Sequence, residues 1–145
     1  MVYKVEDLEV FMHAREFSDA VTAILKRSRL RKNSKACDQI VDANDSITAN
    51  MDEGFVQQSD EGFAKFLYYS KGSIAEVMRR LRRAAERGHV AQEDIATLEP
   101  KAEELGRMIG GFIKYLKKSG FKDRGCFRAS QAASGSRSKD SRIPD

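Results

Sequence analysis

The chain has 145 residues, with 26 Lys and Arg against 22 Asp and Glu and a formal net charge of +4. That length suits one domain with a real core, and no apolar run approaches the roughly 20 residues a membrane span needs. The charged N-terminus is unlike a signal peptide, so a cytoplasmic location is expected.

Two prolines interrupt a composition rich in Ala, Leu, Glu, Lys and Arg, which favours helix throughout. Cys37 and Cys126 sit far apart without a partner motif and read as free thiols, not as a disulfide or metal framework. The charge is unevenly placed. From Lys122 onward six basic residues face three acidic ones, so the first 121 residues are close to neutral.

The first helix is expected from about residue 5 to 27. Val10, Ala14, Phe17, Val21 and Ile24 step by 4 and 3, and Leu8, Phe11 and Leu25 widen that stripe into a core-facing side. Residues 29–34 read as a polar, basic connector, with Ser34 as the cap of a second helix over about 35–54. Ile40, Ala43, Ile47, Asn50 and Gly54 share one side of that helix. The seam is thin, and Asp38, Asp42, Asn44, Asp45 and Asp52 surround it. Gly54 is expected to close the helix, because glycine readily takes the left-handed conformation.

Ser59, followed by Asp60 and Glu61, caps a third helix over about 60–87 that ends at Gly88. Its seam of Phe63, Leu67, Ser70, Ile74, Val77, Leu81 and Ala84 is unbroken. The fourth helix has the seam Ile95, Leu98, Ala102, Leu105, Ile109, Phe112 and Leu116, and ends near Gly120. Pro100 lies inside it, so either the helix kinks or a short turn precedes a helix beginning near Glu99; the unbroken seam favours a kink or a tolerated proline. Residues 122–145, rich in Ser, Gly and Ala with scattered charge, read as a disordered tail. The fold expected of residues 1–121 is all-α, an antiparallel up-down-up-down four-helix bundle.

Several stretches carry a family likeness. They are Asp7-Leu8-Glu9-Val10 with Ala14-Arg15-Glu16, Asp38-Gln39-Ile40, and above all the Ser-Ile-Thr-Ala-Asn-Met-Asp-Glu-Gly-Phe run from Ser46 to Phe55. Phe63, Phe66-Leu67, Gly72-Ser73, Glu76, Gly88-His89-Val90 and Leu105-Gly106-Arg107-Met108 continue it. On these residues the chain resembles the small bacterial four helix bundle protein family, whose members include proteins encoded by intervening sequences in large-subunit ribosomal RNA genes. It is more remotely similar to the accessory variability determinants of diversity-generating retroelements. The resemblance implies a non-catalytic bundle without cofactor that assembles as a ring-like homopentamer, with RNA or DNA and a reverse transcriptase as partners. Family members commonly carry basic residues where this chain has Asp42 and Asp45, and again where it has Val56, Gln57 and Gln58. These departures argue against nucleic acid lying along the second helix.

A di-metal carboxylate centre needs Glu-x-x-His motifs on two helices. Here Glu86 and His89 have that spacing with Gly88 between them, and His13 accompanies Glu9 and Glu16 on an outward face, so surface positions are the better reading. Asn50 and Glu53 are read as a structural polar pair that fixes helix register. Gly72, Ser73, Gly106 and Gly110 are read as points of close helix approach. No residue is assigned a catalytic role.

The sharper signal is basic. Arg79, Arg80, Arg82, Arg83 and Arg87 crowd the end of the third helix, with Glu76 placed to pair with Arg80. An up-down-up-down bundle brings the ends of helices one and three to the same pole. Lys26, Arg27, Arg29, Arg31, Lys32 and Lys35 then join the five arginines, partly countered by Glu86, Glu93, Asp94 and Glu99. Either this is a solvated face that keeps the chain soluble, or it is a site for nucleic acid. Phe66, Tyr69, Met78, Met108 and Ile113 exceed what one core must bury and point to a homo-oligomer.

Overall fold

A computed structural model of the chain describes residues 8–118. They form α1 (Glu9–Arg27), α2 (Ser34–Phe55), α3 (Asp60–Glu86) and α4 (Gln92–Lys118), with a 3-10 helix at Arg29–Lys32 between α1 and α2. Each helix packs on the next, and α4 packs back on α1, which closes the ring. The connectors at 56–59 and 87–91 are too short to do anything but reverse the chain. The architecture is an antiparallel up-down-up-down four-helix bundle. The expected tail, residues 122–145, lies outside the described residues, as does Cys126.

The core follows the apolar spacing. The α1 seam from Val10 to Ile24 and the α3 seam from Phe63 to Ala84 are buried at every position. Phe63 opens the α3 seam at the end of the bundle, edge-on to Phe55 at 6.1 Å and to Phe112 at 5.2 Å. Such aromatic pairs add about 1 kcal/mol each beyond the area they bury. Met78 and Ile113, expected as surplus apolar surface, are core residues at 2% and 4% exposure. Both sit one position beyond the narrow seam, where the bundle interior is wide enough to take them.

Local structure differs from expectation in several places. α1 starts at Glu9, not near residue 5, with Leu8 extended in the cap position. The basic connector is a 3-10 turn that buries Leu30 to 2% exposure. Ser28 holds this turn at its start, with Oγ donating to the Leu25 carbonyl at 3.0 Å and accepting from Leu30 N at 3.1 Å. Asn33, not Ser34, caps α2, its Oδ1 accepting from Ala36 N at 3.2 Å. Ser59 caps α3 as expected, accepting from Gly62 N at 3.1 Å.

Gly54 does not end α2. It lies inside the helix, which runs on to Phe55, and a Cβ there would stand 2.9 Å from both Phe63 Cδ1 and Phe66 Cβ. The glycine is needed for close approach of α2 and α3, not for a left-handed cap. By contrast, Gly72 and Gly106 face open space and Gly110 meets only the Lys71 Nζ at 3.7 Å, so these three are not approach points. Gly88 is the one positive-φ glycine among the described residues, at 78°. α4 runs unbroken through Pro100, which is exposed.

The polar bonds between helices also fall on other residues. Asn44, at 4% exposure, donates from Nδ2 to the Ser18 carbonyl at 3.1 Å and so joins α2 to α1. Ser70 Oγ donates to the Ile47 carbonyl at 2.7 Å and joins α3 to α2. Asn50 is half-buried and donates to Ser46 O of its own helix at 2.8 Å, while Glu53 is exposed. The buried polar bonds between helices are thus made by Asn44 and Ser70 and not by Asn50 and Glu53, because the buried side of α2 runs through Asn44, Ile47, Met51 and Gly54.

Candidate nucleic-acid interface

The last turns of α3 alternate core and charge. Val77, Met78, Leu81, Ala84 and Ala85 face inward, which leaves Arg79, Arg80, Arg82 and Arg83 at the surface. The helix stops in a paired turn. Gly88 N donates to Ala85 O at 3.0 Å and His89 N to Ala84 O at 2.9 Å, the arrangement that glycine at this position makes cheap. The His89 carbonyl then accepts from Arg29 N at 3.0 Å. That single bond fastens the end of α3 to the end of α1, so the two basic segments do share a pole.

Between them lies a cleft of about 300 Å³. Arg79, Arg80, Arg83 and Arg87 line one side with His89, and Asn33, Ala36 and Gln39 line the other. Leu30, Ile40 and Ala84, all buried, form the apolar part. Arg79, Arg83 and Arg87 follow at steps of four and therefore lie along one side of α3. None of the three makes an ion pair with a described residue. Arg80 is engaged, with Nε 3.0 Å from Glu76 Oε2 and Nη1 2.9 Å from Gln39 Oε1. Among the described residues, no carboxylate lines the cleft. Toward the middle of the bundle it gives way to a hollow edged by Asp42, Glu76 and Arg80, so the acidic side of α2 bounds it there.

Two expected members of the basic pole face elsewhere. Arg82 turns toward α4 and grips Glu99 with two bonds, Nε to Oε2 at 2.7 Å and Nη2 to Oε1 at 3.0 Å. These bonds hold the Glu99 carboxyl below the usual carboxylate range and raise the Arg82 guanidinium further. Arg27 Nη2 meets Asp94 Oδ1 at 2.7 Å. Lys26, Arg29, Arg31, Lys32 and Lys35 are exposed at the same pole without ion pairs to described residues. The pole thus divides into a neutralised α4 side and an unneutralised cleft side. Spacing along one helix could not reveal this, since the partners of Arg27 and Arg82 lie 67 and 17 residues away.

The model of the 23S rRNA-intervening sequence protein family matches residues 6–111. The chain belongs to that family. The matched span takes in the whole cleft and all but the last turns of α4. Comparison with curated proteins and with solved structures returned no match.

In this intervening-sequence protein, no cluster of three or more His, Cys, Asp or Glu that could hold a metal occurs among the described residues. Gly88 separates Glu86 from His89 just where the helix has ended. Cys37 is a half-buried free thiol. No helix among the described residues is long and apolar enough to cross a membrane. Among the described residues, the exposed large apolar side chains are Met12, Val41, Val56, Tyr68, Tyr69 and Tyr115. Of the residues expected to flank the core, Tyr69 is exposed and Phe66 and Met108 are half-buried.

Proposed function

We propose that this intervening-sequence protein is a non-enzymatic, self-assembling adaptor that holds RNA on its basic cleft and brings it to a nucleic-acid enzyme such as a reverse transcriptase. The observation that carries the reading is the row of Arg79, Arg83 and Arg87, unpaired by any described residue, along a cleft that no described carboxylate lines. Guanidinium groups match phosphate geometry with paired donors, and a carboxylate-free wall spares them internal competition. Lys26, Arg29, Arg31 and Lys32 add positive charge at the same pole.

Assembly rests on different residues. Tyr68, Tyr69 and Tyr115 are each about half exposed or more, on the outer sides of α3 and α4. Five copies in a ring would set five clefts on one side and multiply weak contacts into avidity. The number five comes from the family resemblance alone. The same tyrosines favour a second reading, a protein–protein assembly module with no nucleic-acid role. Binding of generic RNA measured against salt separates the two: the adaptor reading expects the logarithm of affinity to fall linearly with the logarithm of salt concentration. Absence of RNA binding even at low salt would leave only the assembly module.

A further inference from the structure

Resting on the RNA-binding reading, we infer that the cleft takes one unstacked nucleotide of a single strand, with its phosphates on Arg79, Arg83 and Arg87 and its base against Leu30, Ile40 and Ala84. A site for duplex RNA would be a broad, evenly charged surface, because A-form helices are recognised by backbone and shape. This cleft is concave, at about 300 Å³ it has the size of a small-ligand site, and it is lined partly by apolar atoms. A phosphate backbone has no use for an apolar wall. A base does.

The polar groups agree with such an occupant. Asn33 spends its Oδ1 on capping α2, and Gln39 spends its Oε1 on Arg80. Their amide nitrogens make no hydrogen bond with a described residue, so the wall facing the arginines presents donors. Base carbonyls and ring nitrogens are acceptors. Guanidinium planes also stack on bases, a second contact open to these arginines. The hollow that continues the cleft toward the bundle middle is edged by Asp42 and Glu76, whose charge disfavours phosphate, which leaves the pole as the side from which a strand enters.

The experiment compares a labelled single-stranded RNA of about 12 nucleotides with the same strand annealed to its complement, at one salt concentration. The parent chain should prefer the single strand by about tenfold or more, the scale of one well-held base. Ala36 is half-buried at the cleft wall, so Ala36→Phe fills the space for the base without removing an arginine. It should lower single-strand affinity to that of the duplex and leave the salt slope unchanged. Competition gives an independent readout that needs no variant: adenosine 5′-monophosphate should displace the single strand at lower concentration than inorganic phosphate. Equal binding of single strand and duplex, with phosphate competing as well as the nucleotide, would overturn the inference while sparing the RNA-binding reading. Loss of all RNA binding would overturn both.

Discussion

At Gly54 an added methyl group would lie 2.9 Å from Phe63 Cδ1 and from Phe66 Cβ. Phe66 Cβ is fixed by its own backbone and Phe63 is wedged at 1% exposure, so neither yields easily. Replacing glycine by alanine in a helix interior ordinarily gains about 1 kcal/mol. Overpacking a tight contact costs about 1–3 kcal/mol, and here it should win. Gly54→Ala is expected to lower stability by about 1 kcal/mol or more in urea unfolding; a stabilised variant would mean that α2 and α3 can move apart. Glu99 offers a pH test. Its carboxyl lies below the ordinary value of 4.5 because it accepts two bonds from Arg82, so its contribution is full above that pH and fades as pH falls through the lowered value. The pair is largely exposed, which limits it to about 0.5 kcal/mol. Glu99→Gln should therefore cost about that much at neutral pH and progressively less as pH falls below the ordinary carboxylate range. An equal loss throughout would show that packing, not charge, is what the carboxylate supplies.

The helices themselves were legible because burial in a bundle enforces the 3-and-4 spacing that α1, α3 and α4 display. What spacing could not show is a buried residue in a segment too short to have a period. Leu30, alone among five polar or basic neighbours in the 29–34 run, is such a case, and it makes part of the cleft. Gly54 misled for a related reason: glycine serves both to end helices and to let them touch, and only the facing phenylalanines decide which. Pro100 tests the element-scale account most simply. It has no N–H to give the Ala96 carbonyl, yet α4 continues through it where both residues are exposed and water can reach that carbonyl. Pro100→Ala should restore one helical bond and raise stability by about 1–3 kcal/mol. A lower melting temperature would instead show that the proline sets a bend on which the packing of α4 against α1 and α3 depends.

For the molecule as a whole, the claim is that charge at one pole is sorted by the packing of α4. Asp94 and Glu99 on that helix hold Arg27 and Arg82, and the cleft arginines on the other side of α3 keep their charge unspent. The sequence placed all these residues at one pole, but the sorting depends on contacts between distant segments and was not readable from one helix. The measurement that tests this most directly sets two variants side by side in RNA binding by fluorescence anisotropy, with helicity checked by circular dichroism. Arg79→Gln, Arg83→Gln and Arg87→Gln together should lower affinity by about a hundredfold at low salt and reduce the salt slope by about three. Arg27→Gln with Arg82→Gln, which removes charge that is already neutralised, should change affinity less than about threefold. If the two variants lose binding equally, or the triple variant binds as the parent does, the cleft is not where this protein holds RNA.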